Sequence, residues 1–133
     1  MTDQSDAPQG KALVLVDDDK FLLDMYSMKF QQAGYRVQAC LSVKDALQAL
    51  RGGFPADAVV FDLVMPEMDG FALLSAVRGE KLAPNAKLIA LTNQSDDAER
   101  QKAQELGANR YIIKASMIPS EVVSAVGEEI AKQ

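Results

Sequence analysis

The sequence predicts a single α/β domain, a (βα)5 doubly wound sheet whose five parallel strands lie in the order 2-1-3-4-5. Three observations carry this. Short apolar runs alternate five times with longer segments of helical period between residues 12 and 131, the pattern of successive βαβ units. The runs LVLV (13–16), AVVF (58–61) and LIAL (88–91) are continuously apolar, as strands covered by helices on both faces must be. The run YRVQAC (35–40) alternates instead, which places it at an edge.

Each element has its own signals. Strand one, 12–16, runs straight into Asp17, Asp18 and Asp19, and Asp19 is assigned to capping the helix at 20–33. Within that helix Leu22, Met25, Tyr26, Phe30 and Ala33 form a stripe that faces the sheet, while Phe21 and Met28 fall on its flank. Gly34 ends it. Strand two, 35–40, closes on Cys40, the only cysteine, which reads as a small core residue with no internal disulfide open to it. A helix at 43–51 is stopped by Gly52, Gly53 and Pro55. Strand three, 57–61, ends at Asp62, and the helix at 70–79 takes Asp69 as its cap. Strand four, 87–91, ends at Thr92; the helix at 96–106 is capped by Ser95 and closed by Gly107. Strand five, 110–113, ends at Lys114, and a last helix at 120–131 takes Ser120 as its cap behind Pro119. Residues 1–10 read as a flexible N-terminal tail, leaving 11–133 as the domain.

Composition removes several classes of function. A formal net charge of −5 argues against direct nucleic-acid binding. The absence of histidine excludes a Ser-His or Cys-His catalytic pair and the usual zinc sites. No apolar run approaches the ~20 residues that cross a bilayer, so no membrane association is expected. The polar start lacks the features of a signal peptide, and with one unpaired cysteine a cytoplasmic setting is expected.

Order 2-1-3-4-5 is the flavodoxin-like arrangement, whose ligands bind at the carboxyl edge near the switch between strands one and three. The residues that follow the strands converge there: Asp17, Asp18 and Asp19, then Asp62, Thr92 and Lys114. With Asp19 set aside as a cap, three carboxylates contribute −3 and Lys114 contributes +1, leaving −2. Like charges so close destabilise one another unless something cancels them. A hard divalent cation held by oxygen ligands does so, and Mg2+ fits a site with few carboxylates and room for water. Lys114 and Thr92 suit a phosphoryl group, as charge partner and hydroxyl donor. Asp62, at the centre, could attack phosphorus to form an acyl phosphate.

The segments VDDD (16–19), VFDLVMPEMDG (60–70), LT (91–92) and YIIK (111–114) resemble a response-regulator receiver domain, the chemotaxis-regulator-like phosphoacceptor domain of two-component signalling. The resemblance covers residues 11–132. It implies that Asp62 accepts the phosphoryl group and that Asp17, Asp18, Asp62 and the Val64 carbonyl bind Mg2+. It further implies that Lys114 contacts the phosphoryl group and that Thr92 and Tyr111 form a switch pair, while Pro66 and Gly70 match the loop that follows the acceptor.

The expected function is a single-domain regulator. A sensor histidine kinase or histidine phosphotransfer protein would donate to Asp62, and the surface of helix four, strand five and helix five would switch to control a downstream protein. Catalysis would be limited to its own phosphorylation and dephosphorylation. Phe21 and Met28 are the expected kinase contact. Two positions depart from the family pattern. Asn93 stands where a small residue is usual, and with Gln94 it is expected to tune access to Asp62. Ala115 stands where proline, often with a cis bond, usually follows the lysine; a non-proline cis bond would cost about 2.5–4 kcal/mol, and the sequence leaves open whether this peptide is cis or trans with a rearranged loop. Two other readings compete. One is a haloacid-dehalogenase-type phosphatase using Asp17 and Asp19, with Glu121, Glu128 and Glu129 the only acids after Lys114. The other is a pseudo-receiver that binds without being phosphorylated.

Overall fold

Continuous apolar runs need cover on both faces, and the arrangement supplies it. The computed structural model describes residues 10–132. In chain order the elements are β1 (Ala12–Val16), α1 (Lys20–Gln32), β2 (Arg36–Cys40), α2 (Val43–Arg51), β3 (Ala58–Phe61), α3 (Gly70–Gly79), β4 (Lys87–Thr92), α4 (Asp97–Glu105), β5 (Arg110–Ile113), a short 3-10 turn (Lys114–Ser116) and α5 (Pro119–Ala131). The sheet order is β2-β1-β3-β4-β5, with every pairing parallel. The expected tail lies outside the described residues except for Gly10. No described helix is long and apolar enough to cross a membrane.

Side chains alternate across each strand, so the inner strands feed two cores. Val14, Val16, Val59, Phe61, Leu88 and Ala90 pack with α2 and α3 through Leu47, Leu50, Leu73, Leu74 and Val77. Leu13, Leu15, Val60, Ile89 and Leu91 pack with α1 and α5 through Leu23, Phe30, Val122 and Val126. Each fully buried aliphatic side chain contributes about 1.5–3 kcal/mol over its exposed state. The edge strand β2 is mostly exposed, with Cys40 its buried residue. Burial there pushes the Cys40 thiol up to about 11, so it stays neutral and packs as a small apolar group.

The helix starts decide where the loops run. Asp19 Oδ1 accepts from the Leu22 N–H at 3.1 Å and Asp69 Oδ1 from the Ala72 N–H at 3.0 Å, both as expected. Two expected caps are corrected. α4 is capped by Asp96, not Ser95: its Oδ1 accepts from the Ala98 N–H at 2.7 Å, and a carboxylate also interacts favourably with the positive helix end. α5 begins at Pro119 behind Ile118, not at Ser120, since the N–H that proline lacks has no partner at the first helical position. There the Glu121 carboxylate accepts from the Ile118 N–H at 2.9 Å. The stripe on α1 also shifts: Leu23, Tyr26 and Phe30 are the buried residues, and Leu22 and Met25 sit at its margin.

Helix α4 is thinly attached. Ala103 is its one buried residue. Around it Lys102 Nζ lies 4.4 Å from the Phe71 ring centroid, and the Arg100 guanidinium lies 5.0 Å from that of Tyr111.

Candidate functional site

Parallel strands all end on one edge, so β1, β3, β4 and β5 deliver Asp17, Asp62, Thr92 and Lys114 to a common rim. Sheet hydrogen bonding runs one residue past the strands and fixes both aspartates. The Asp17 N–H donates to the Cys40 carbonyl and the Asp62 N–H to the Val16 carbonyl, each at 3.1 Å. Asp17 is buried, and its Oδ1 accepts from the Asp19 N–H at 2.9 Å, turning the chain into α1. Asp62 Oδ1 accepts from the Val64 N–H at 3.2 Å.

Lys114 joins the two. Its Nζ donates to Asp17 Oδ2 at 2.7 Å and to Asp62 Oδ2 at 2.9 Å, with the lysine side chain only 8% exposed. Burial alone would pull the ammonium pKa down, but its hydrogen bonds to Asp17 and Asp62, together with the attraction of their charges, outweigh it and hold the pKa above the usual lysine value. Asp18 is exposed and is not among the lysine's two partners. One carboxylate oxygen from each of Asp17, Asp18 and Asp62 lies within 4.8 Å of the others. Three oxygen donors converging with a surplus of negative charge fit a hard divalent cation.

Thr92 is fully buried as the last residue of β4, and its Oγ1 accepts from the Gln94 N–H at 3.3 Å. The Tyr111 hydroxyl donates to the Gln94 carbonyl at 2.6 Å. Asn93 is exposed, and its Oδ1 accepts from the Ala115 N–H at 3.2 Å. No cis peptide occurs among the described residues, so Lys114–Ala115 is trans and opens the 3-10 turn. Gly70 closes the β3–α3 loop against the site: its N–H donates to the Leu63 carbonyl at 3.1 Å, and a Cβ there would lie 2.5 Å from the Asp62 carbonyl oxygen.

The acids after Lys114 are engaged elsewhere. Glu121 caps α5, while Glu128 and Glu129 pair with Arg110. Phe21 and Met28 are exposed on α1.

A family model described as the response regulator receiver domain matches residues 13–126. The chain belongs to the receiver family. Among curated relatives this receiver is 32% identical over 105 residues to the transcriptional regulatory protein GltR of Pseudomonas aeruginosa, a match covering 79% of this chain and 43% of that protein. It is 34% identical over 107 residues to a probable cyclic di-GMP phosphodiesterase of Vibrio cholerae, covering 80% of this chain and 24% of that one. The receiver thus spans less than half the length of these two relatives. A solved structure of the BeF3-activated DrrB receiver domain, DrrB being a Thermotoga maritima protein, superposes with a TM-score of 0.78 at 30% identity, covering 92% of this chain and 98% of that one.

Sequence reasoning missed two features near the receiver's site. Tyr26 belongs to the buried stripe of α1, yet its phenol feels the charges of the site. Burial pushes its pKa up; Lys114 pulls it down and Asp17 pushes it up. A phenol in an otherwise apolar stripe was the available signal. The second is the exposed apolar set Leu41, Val64, Met68 and Ile118, all on loops that leave the carboxyl ends of strands.

Proposed function

We propose that this receiver takes a phosphoryl group on Asp62 from a phosphohistidine of a sensor histidine kinase or histidine phosphotransfer protein. The observation that carries the reading is Lys114, held between Asp17 and Asp62 beside the third carboxylate of Asp18. In the transfer, the N–P bond of the donor breaks and its electron pair returns to the imidazole. A carboxylate oxygen of Asp62 forms the new O–P bond. Lys114 stays protonated across neutral pH and pairs with the phosphoryl oxygens it meets. Asp17, Asp18 and Asp62, with the Val64 carbonyl, would hold Mg2+, whose charge when bound offsets the carboxylates and the incoming phosphoryl group.

The acyl phosphate adds a charge of about −1.5 to −2 and new acceptor oxygens beside Thr92. Thr92 then exchanges its bond to the Gln94 N–H for the phosphoryl group, and Tyr111 leaves the Gln94 carbonyl and turns inward. The surface of α4, β5 and α5 changes with it and is read by a downstream protein in the cytoplasm. Asn93 and Gln94 stand at the mouth and set access to Asp62. Phe21 and Met28, exposed on α1, form the kinase contact, and the apolar loops around the rim extend it.

The test is intact-mass measurement after incubation with Mg2+ and acetyl phosphate. Wild type gains one phosphoryl group and Asp62→Ala gains none. Label retained in Asp62→Ala moves the acceptor elsewhere, and a wild type that no donor labels leaves the pseudo-receiver reading.

A further inference from the structure

The segment after β4 grips β5 and the turn that follows it at two points. Before Lys114, the Tyr111 hydroxyl meets the Gln94 carbonyl at 2.6 Å; after it, the Ala115 N–H meets Asn93 Oδ1 at 3.2 Å. Lys114 opens a 3-10 turn of three residues that has no side-chain cap. The first N–H groups of such a turn have no partner within it. Ala115 carries one of these, and it is available because residue 115 is not proline. The turn's own closing bond, from the Met117 N–H to the Lys114 carbonyl, is long at 3.4 Å. The backbone from which Lys114 reaches two carboxylates therefore has weak support of its own.

We propose that Asn93 is a positioning residue for Lys114: its side-chain oxygen straps the Ala115 N–H to the end of β4 and so fixes the base of the lysine. The consequence for transfer rests on the phosphoacceptor reading above; the strap itself does not. Strap and crowding act with opposite signs. Removing a side chain that only narrows the mouth speeds labelling, whereas removing one that holds Lys114 slows it, because transfer depends on tight alignment of the groups around phosphorus. The strap governs, because the Asn93 oxygen is already committed to Ala115.

Asn93→Ala and Asn93→Asp test this, the second keeping an oxygen at the same position. In Asn93→Ala, amide exchange at Ala115 should rise about two- to tenfold, the effect of losing one hydrogen bond, with no change at Val60 in β3. The Lys114 side-chain ammonium resonance should shift or broaden. Labelling by acetyl phosphate should slow about three- to tenfold, less than the loss a fully misplaced group would cause, with Mg2+ affinity unchanged. Asn93→Asp should restore protection at Ala115. Unchanged Ala115 exchange in Asn93→Ala overturns the strap. Faster exchange with an unmoved Lys114 resonance, or faster labelling, overturns the positioning role. If wild type takes no label, the phosphoacceptor reading falls, and the amide and ammonium measurements, which need no donor, still decide the strap.

Discussion

Neutralising Asp18 should stabilise the metal-free domain while removing its response to Mg2+. Asp18 shares a 4.8 Å cluster with Asp17 and Asp62, whereas the Lys114 ammonium makes its two short contacts to those other carboxylates. At that separation each like-charge pair costs about 0.9 kcal/mol at the dielectric of water and about 3.5 kcal/mol at an effective value of 20. Asp18 is exposed, so the lower figure governs. Two repulsions, partly offset by attraction to Lys114, leave about 1 kcal/mol to be recovered by Asp18→Asn. For a chain of this size that is a rise in Tm of about 3–5 °C, read by thermal unfolding in EDTA at low ionic strength. Adding Mg2+ at ten times its dissociation constant should stabilise wild type by about 1.4 kcal/mol and the variant by much less, so their order reverses. A variant less stable than wild type in EDTA would refute the charge surplus, and one with an equal Mg2+ gain would refute the ligand assignment.

Gly70→Ala places a Cβ 2.5 Å from the Asp62 carbonyl oxygen and 2.9 Å from Leu63 Cα, so backbone must move. Overpacking of about 1–3 kcal/mol against a helical gain of about 0.5–1 kcal/mol should lower Tm, and labelling of Asp62 should fall with it; an unchanged melt would mean the loop yields freely. Because the folded Lys114 pKa is raised, its stabilising contribution is fully present below the unfolded value of about 10.4 and is lost as pH rises through the higher folded value. The stability gap between wild type and Lys114→Met should therefore close only in that alkaline window, and a gap that closes below pH ~9 would contradict the assignment. Phe21→Ser with Met28→Ser should slow transfer from a histidine kinase by about tenfold or more while leaving acetyl phosphate labelling intact. Equal slowing with both donors would remove these residues from the kinase surface.

The strand ends and sheet order were legible because they rest on local signals: apolar runs covered on both faces, an alternating edge, and a polar residue at each terminus. What failed depends on choices that neighbouring residues leave open. Ser95 and Asp96 are both competent caps, and only the turn of the backbone selects the second. On α1, apolar residues at 22, 23, 25 and 26 leave the stripe's phase uncertain by one residue, which is why Leu23 rather than Leu22 is buried. The bond between Asn93 and Ala115 joins loops 22 positions apart and has no periodic signature, although both residues stood out singly. Exposure of Leu41, Met68 and Ile118 depends on loop paths that composition does not set.

Helix α4, with the fewest buried residues of the five helices, should come loose most cheaply. One buried methyl group contributes about 0.8 kcal/mol, and two cations over aromatic rings about 0.5–1 kcal/mol each, so the helix is docked by only about 2–3 kcal/mol. At equilibrium it would then stand off the sheet in roughly one molecule in a hundred, opening far more often than the strands beside it. Tyr111 supplies one of the two rings. If it turned inward, Arg100 would lose its seat, and about 0.5–1 kcal/mol of that hold would go with it, raising the undocked fraction about two- to fivefold. The readout at this face would then be a change in how often α4 is away, without any second resting position for it to occupy.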